Sequence, residues 1–289
     1  GYEAFQPASL PPSPPITFND GLIRRLSEAD QRVGRLDALA VALPDADLFL
    51  AMYVRQEALL SSRIEGTECT LDDIIESDLL LNTPTSLDVG EVVNYVAALD
   101  HGIARLTSLP LSTRLLREVH EVLLRNGRGS DKSPGEFRRT QNWIGRPGCT
   151  LAEARFVPPP VHVMNDALGD LEKFIHTSSL PVLVIAGLVH AQFETIHPFL
   201  DGNGRLGRLW QTLILSRWQP LLAWTLLLAA AAAALGLVVL IAGLQRVFQR
   251  APRLDAELPV GEPPDTSLTV VVPAYNEEAN IDACLESLL

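Results

Sequence analysis

One run of twelve residues holds most of the side chains that could do chemistry. From His197 to Arg208 it contains an imidazole, a carboxylate at Asp201, a glycine-rich turn and two guanidiniums. The ordinary pKa of histidine lies near neutrality, so His197 could accept a proton from an attacking hydroxyl. Asp201 is a hard oxygen ligand of the kind that Mg²⁺ takes beside substrate phosphates. The run therefore predicts a site that handles a nucleotide.

Two helices should position these groups. Residues 181–194 form an apolar, helix-length run that starts with proline, and residues 205–218 read as a second apolar helix. The loop between them opens a helix N-terminus, whose free N–H groups can meet an anion that Gly202 and Gly204 allow to approach. Arg205 and Arg208 lie three residues apart, so both can reach one phosphate chain.

Two plainer interpretations compete with the nucleotide site. The loop could simply turn the chain while His197 packs in a core, although six apt residues at workable spacing argue against this. His190, Glu194 and His197 also share one helix face and could bind a metal. Their spacing is not that of zinc peptidases, and Pro198 ends the helix just past the third candidate, so we expect His190 to be structural.

The run also resembles a known family. It matches, at every fixed position, the signature His-Pro-Phe-x-Asp/Glu-Gly-Asn-Gly-Arg-x-x-Arg of Fic-domain proteins, which mostly transfer AMP from ATP to a protein Ser, Thr or Tyr hydroxyl. The resemblance implies that His197 is the base and that Asp201 holds Mg²⁺. It also implies a nucleotide-binding set made of Gly202, Asn203, Gly204, Arg205 and Arg208.

A second motif lies upstream, where Ser61-Ser62-Arg63-Ile64-Glu65-Gly66 ends a predicted helix. Taken alone, Glu65 is a solvated acid at a helix end. In the family context the segment resembles the inhibitory motif Ser/Thr-x-x-x-Glu-Gly/Asn, which implies that Glu65 pairs with Arg208. A carboxylate there would occupy the guanidinium that the γ-phosphate needs and would repel the phosphate.

Residues 127–160 are rich in turn formers, and short strands over residues 139–144 and 155–157 could form a hairpin. The alternative is an ordinary surface loop. By resemblance to the family this is the flap, which would hold a target segment as an added strand. The target-docking residues would be Asn142, Trp143, Ile144 and Gly145.

Composition narrows the class of protein. The 289 residues carry a net charge of −12 and are 47% hydrophobic, which argues against a nucleic-acid-binding surface. The three cysteines form no metal-binding cluster and indicate reduced thiols in a cytosolic setting. The chain starts at Gly1 without a signal segment, so we expect a trimmed N-terminus.

A different kind of sequence follows Arg217. Residues 221–244 hold no charge and are long enough to span a bilayer, with tryptophans at one edge and arginines beyond the other. Residues 267–289 resemble the first strand and loop of family-2 glycosyltransferases, without the rest of that domain. A single span puts its two ends on opposite sides of the membrane, yet both resemblances need cytosolic nucleotides. We therefore expect a fusion or a mis-joined reading frame.

The sequence as a whole predicts a mainly α Fic fold, a helical bundle with a small β-hairpin flap, followed by one transmembrane helix and a truncated α/β fragment. The expected division is a proline-rich arm (1–17), an N-terminal helical region (18–110), a Fic core (111–217), a transmembrane helix (218–245), a linker (246–266) and the glycosyltransferase-like fragment (267–289). The protein would be membrane-associated, with its Fic part needing the cytoplasm.

The predicted activity is Mg²⁺-dependent transfer of AMP from ATP to a target protein, restrained by Glu65; a homodimer is possible. One alternative within the family is removal of AMP. A second is a membrane-anchored glycosyltransferase fragment that carries the Fic part as a passenger. A third is a protein-binding module that does not depend on His197.

Overall fold

The computed structural model describes residues 2–41, 46–79, 84, 86–146 and 148–218. This part of the chain is mainly helical, as predicted. Its α-helices are α1 (Asp20–Val41), α2 (Ala46–Ile64), α3 (Leu71–Leu79), α4 (Leu87–Arg105), α5 (Thr113–Leu123), α6 (Val161–Thr177), α7 (Val182–Ile196) and α8 (Asn203–Trp218).

Local sequence explains where several helices begin and end. The Ser86 and Ser112 hydroxyls accept hydrogen bonds from the third residues of α4 and α5, which satisfies one free N–H of each first turn. Thr70 and Asp73 each accept a hydrogen bond from the other's backbone N–H at the start of α3, which forms a capping box. Gly66, with φ 87°, follows α2 in the left-handed region that glycine tolerates.

Helix α7 lies at the centre of the bundle. Most of its residues are buried, and it packs against α6 on one side and α8 on the other. Helix α4 joins α2 and α5 to this core. Close approach between α4 and α8 needs a glycine at Gly102, where an added Cβ would lie 2.7 Å from a Leu213 methyl. The two signature helices are therefore held from several sides.

The predicted hairpin flap is wrong in extent. Within the described residues its two arms meet only at one antiparallel bridge, Ile144 to Phe156. The Ile144 N–H donates to Phe156 at 2.8 Å, and the Phe156 N–H returns to Ile144 at 3.1 Å. Three prolines, residues 158–160, follow the bridge and have no N–H to extend a ladder. The flap is thus an irregular loop closed by a single pair.

The proline-rich arm lies along its own protein. The Phe5 N–H donates to the Val157 carbonyl at 2.8 Å, and the two rings of Phe5 and Phe156 pack 5.5 Å apart. Further along, the Gln192 amide on α7 donates to the Ala8 carbonyl at 2.7 Å. The arm thus ties the flap to the central helix.

No helix among the described residues is long and apolar enough to cross a bilayer. The predicted span at residues 221–244, the linker at 246–266 and the glycosyltransferase-like fragment at 267–289 all lie outside the described residues. They remain predictions of the sequence.

Candidate active site

His197 directly follows the last turn of α7 in a left-handed backbone conformation, with φ 49° and ψ 62°. Its N–H still donates to the Phe193 carbonyl at 2.9 Å, so the residue ends the helix while turning the chain. A left-handed conformation is costly for a side chain that carries a Cβ, and surrounding contacts must hold it. His197 therefore lies at a constrained turn of the chain.

Burial lowers the pKa of His197 to about 4. The Glu194 carbonyl and the Glu65 carboxylate partly offset this effect, whereas the Arg138 guanidinium adds to it. At neutral pH the imidazole is accordingly neutral, which is the form that can accept a proton.

The first residues of the flap, 138–142, which we call the flap's root, donate hydrogen bonds to the backbone carbonyls around His197. Arg138 Nε donates to the His197 carbonyl at 3.0 Å, and the Arg138 N–H donates to the Pro198 carbonyl at 2.9 Å. The Asn142 amide donates to the carbonyls of His197, at 3.2 Å, and Phe199, at 3.0 Å. The Asn142 amide thus binds the loop that follows α7, and its predicted docking of a target stays a prediction.

His120 supports the same loop from below. Its ring stacks on Phe199 with centroids 3.7 Å apart, and Nδ1 accepts a hydrogen bond from the Gly135 N–H at 2.9 Å. Nε2 therefore carries the proton and donates to the Asp201 carbonyl at 3.0 Å. Burial lowers the pKa of His120 to about 4, which keeps this neutral tautomer.

The turn into α8 is closed by hydrogen bonds between its own residues. Gly202 has φ 75°, a left-handed conformation suited to glycine. The buried Asn203 side chain accepts from the Phe199 N–H and donates to the Phe199 carbonyl, both at 2.9 Å. Asn203 therefore closes the loop, and its predicted contact with phosphate stays a prediction.

The Glu65 carboxylate lies against the N-terminus of α8. Its Oε1 is 2.7 Å from Arg208 Nη2, and an added Cβ at Gly204 would lie 2.3 Å from the same oxygen. Ser61 completes the contact, because its hydroxyl and its carbonyl accept from Arg208 at 2.8 and 2.9 Å. A carboxylate thus occupies the anion-binding end of α8 and engages its arginine.

Arg205 has a different environment from Arg208. It is 3% exposed, and its Nη1 lies 3.6 Å from the Glu91 carboxylate on α4. Glu91 also pairs with Arg128 at 2.9 Å and accepts from the Thr67 hydroxyl at 2.7 Å. Arg205 is therefore engaged by a buried acid, and phosphate binding by this residue stays a prediction.

Asp201 is a suitable single carboxylate for a Mg²⁺ ion that arrives with a nucleotide. Its Oδ1 accepts from the Gly202 N–H at 2.6 Å, and Gly129 passes so close that an added Cβ would lie 2.6 Å from Oδ2. No group of three metal-ligating acids, histidines or cysteines occurs among the described residues. This donor set fits Mg²⁺, which commonly keeps waters and substrate phosphates as its remaining ligands. The competing metal site of His190, Glu194 and His197 is not among the described groups that could hold a metal.

The other three predicted docking residues contact the flap itself. Trp143 is 42% exposed and its indole N–H donates to the Cys149 carbonyl at 3.1 Å. Ile144 forms the bridge, and Gly145 leaves room for the Cys149 sulfur. Their docking of a target stays a prediction.

Sequence reasoning missed Arg138, Glu91 and the role of His120. Arg138 and Arg139 are adjacent in the sequence, and nothing in their type or spacing separates the buried arginine from the exposed one. A buried charge inside an apolar-periodic helix was the available signal for Glu91.

Comparison with known proteins identifies the class. Residues 23–104 match the Fic/DOC family N-terminal region, and residues 110–215 match the Fic/DOC family itself. Residues 23–215 therefore carry a Fic/DOC N-terminal region followed by a Fic/DOC domain, and their mainly helical fold is the Fic fold.

Relatives and solved structures agree with this assignment. The chain is 27% identical over 201 residues to "Protein adenylyltransferase Fic" of Drosophila virilis and 29% identical to that of Drosophila persimilis, in each case over 67% of this chain. It spans about two fifths of these relatives, 39% and 37% of their lengths. A Fic family protein from Desulfovibrio desulfuricans superposes with TM-score 0.61 at 26% identity, covering 80% of this chain and 69% of that one. Fic-1 from C. elegans shares the fold, with TM-score 0.52 at 21% identity over 68% of this chain and 59% of that one.

Proposed function

We propose that this protein transfers AMP from ATP to a hydroxyl of a target protein, and that Glu65 restrains the reaction. The observation that carries the proposal is a short loop. It joins His197, which burial keeps neutral, to the glycine-rich N-terminus of α8. Curated relatives named protein adenylyltransferases support the same chemistry.

In the proposed reaction, His197 accepts the proton of a Ser, Thr or Tyr hydroxyl as its oxygen attacks the α-phosphorus. The new P–O bond forms as the bond to the leaving pyrophosphate breaks. Backbone N–H groups of Asn203 and Gly204, in the first turn of α8, would face the triphosphate and favour its negative charge. Arg208, and Arg205 once freed from Glu91, would bind phosphate oxygens.

Asp201 would hold Mg²⁺ at the mouth of this loop. The ion would neutralise charge on the phosphates and orient them. His120 donates a hydrogen bond to the Asp201 carbonyl at 3.0 Å, and this bond would hold the Asp201 backbone beside the α8 N-terminus.

Restraint by Glu65 follows from competition for one guanidinium. With its oxygen 2.7 Å from Arg208 and pressed against Gly204, the carboxylate fills space and charge that a phosphate would take. A phosphate can bind there only after Glu65 has moved.

Removal of AMP is the second candidate, and one observation favours it. The Glu65 carboxylate raises the pKa of His197, so the two side chains act on each other electrostatically. In AMP removal, Glu65 would orient the attacking water. In that case Glu65 would promote a reaction rather than restrain one.

Intact-mass analysis of the chain with ATP and Mg²⁺ tests the proposal. We expect an AMP adduct, on the chain or on proteins of an added lysate, with Glu65→Gly, and none with Glu65→Gly/His197→Ala. Absence of any adduct from folded Glu65→Gly protein would overturn AMP transfer. Loss of AMP from a pre-modified target by the parent protein, abolished by Glu65→Gly, would establish removal instead.

A further inference from the structure

Four successive backbone carbonyls around the base accept hydrogen bonds from one short segment of the flap's root, residues 138–142. The Arg138 side chain reaches the carbonyls of Ile196, at 3.5 Å, and His197, at 3.0 Å. The Arg138 backbone N–H donates to the Pro198 carbonyl, and the Asn142 amide donates to the Phe199 carbonyl. The left-handed corner is therefore held along its whole length by a segment about sixty residues earlier in the chain.

Arg138 is an unusual buried cation. Its side chain is among the largest that are fully buried, with the residue 2% exposed, and no described carboxylate forms an ion pair with it. Its guanidinium instead donates to neutral carbonyls, including Thr140 at 3.3 Å and Pro159 at the other end of the flap. Burying a charge without a counter-ion is costly. The arginine offsets this cost by donating hydrogen bonds to several backbone carbonyls, which an apolar side chain could not do.

The planar fork explains why arginine suits this place. Nε and the two terminal nitrogens point in different fixed directions, so one side chain can bind the catalytic loop and both ends of the flap together. A lysine ammonium would carry the same charge but present it from one atom on a flexible stem.

We propose that Arg138 is a positioning residue for the base: it fixes the His197 backbone to the root of the flap, so the imidazole and a docked target hydroxyl keep one geometry. The inference rests on the proposed AMP transfer. Arg138 itself touches no reacting atom.

Electrostatics support this geometry. Among the described residues, two charged groups act on His197 in opposite directions: Arg138, from the flap's root, lowers its pKa, and Glu65, directly after α2, raises it. A cation fixed near the imidazole thus favours the neutral base that the reaction needs.

Kinetics in the Glu65→Gly background provide the first test, with Arg138→Met, Arg138→Lys and Asn142→Ala. Because small misplacements of a catalytic group are costly, we expect kcat to fall about 100-fold for Arg138→Met and about tenfold for Arg138→Lys. The KM for ATP should change less than about threefold, since Arg138 contacts no part of the α8 N-terminus. Asn142→Ala removes two of the same bonds without touching the cation, and we expect a loss of about fivefold.

The neighbouring Arg139 gives a matched control. It is on the same segment, its side chain is 87% exposed, and its contact with Glu136 is long, at 3.9 Å. Arg139→Met should leave kcat within about twofold of the parent. A fall as large as that of Arg138→Met would show that overall flap charge matters and would overturn the inference. So would an unchanged kcat in folded Arg138→Met protein, or a raised KM with kcat intact.

A readout independent of turnover separates this inference from the proposed activity. NMR titration of the six histidines, with His197 assigned from the spectrum of His197→Ala, follows the imidazole in the parent and in both Arg138 variants. We expect a shifted His197 resonance and a raised pKa in Arg138→Met, with the pKa largely restored in Arg138→Lys. An unmoved His197 in Arg138→Met overturns the positioning role. A moved resonance without AMP transfer in any variant supports that role and counts against the activity alone.

Discussion

Two regions of the molecule contact the segment from His197 to Arg208, and the two contacts differ in burial and in chemistry. The N-terminal region reaches it with the side chain of Glu65, which is 34% exposed and ends in one ion pair with Arg208. The flap's root reaches it with Arg138 and Asn142, which donate to a series of backbone carbonyls in the interior. A partly hydrated pair can open at small cost, whereas a buried polar cluster cannot lose one member without leaving others unpaired. The first contact suits a reversible restraint and the second a permanent support.

The comparison extends to the two arginines of the signature. Arg208 is held by Glu65 near the surface, and Arg205 by the 2%-exposed Glu91. Thr67, two residues after Glu65, also bonds to Glu91, and the Glu68 N–H donates to Asp88 at 2.7 Å. The chain directly after Glu65 is thus bonded to α4, so release of Arg208 would need only a movement of the Glu65 side chain.

The largest effect should come from removing the residue that both regions surround. In the Glu65→Gly background, His197→Ala should lower the rate of AMP transfer by about 10²- to 10⁴-fold, the usual contribution of a general base. The measurement is adduct formation against time by mass spectrometry, with the thermal midpoint as a check on folding. Transfer that persists within threefold would mean that another group takes the proton.

Breaking the reversible contact should raise activity and leave stability nearly unchanged. Glu65→Gln keeps the shape but removes the charge, so we expect transfer to rise about tenfold while the free energy of unfolding changes by less than about 1 kcal/mol. Glu68→Gln is the matched control, because Glu68 is exposed and uses only its backbone N–H. Equal activation by both variants would show a general charge effect rather than competition for Arg208.

Crowding the joint between α7 and α8 should disturb both regions through stability alone. An added Cβ at Gly207 would lie 2.3 Å from Glu194 Oε1 and 3.2 Å from Phe193, so Gly207→Ala should cost about 1–3 kcal/mol. Gly169 on α6 has open space around it, and Gly169→Ala should stabilise by up to about 1 kcal/mol. Chemical denaturation measures both, and a neutral Gly207→Ala would show that the helices can separate there.

The smallest effect concerns pH. Burial lowers the pKa of His190 to about 4 from its ordinary 6.5, so the unfolded chain binds this proton more readily than the folded one. Stability from this residue is therefore complete above about pH 6.5 and is lost as pH falls towards about 4. His190→Gln should flatten the fall in the free energy of unfolding across this window. An identical slope in parent and variant would contradict the prediction.

Much of the local structure could be read from short-range patterns. The ends of α2, α3 and α5 follow from Gly66, the Thr70 capping box and Ser112, because such signals act within a few residues. The hairpin prediction for the flap was too extensive, because turn residues indicate that two segments reverse direction but not how many residue pairs bond between them.

The sequence by itself determined the chemistry available to this protein: an imidazole at a helix end, a carboxylate, a glycine-rich helix start and two arginines, all within twelve positions. Spacing along one chain suffices for that, because neighbours in sequence are neighbours in a helix–loop–helix. Only the tertiary structure decided that Glu91 engages Arg205, that Asn142 binds the loop and that Arg138 is buried beneath the base. Arg138 and Arg139 are identical in type and adjacent, and only packing between segments far apart in the chain makes one a support and leaves the other in water.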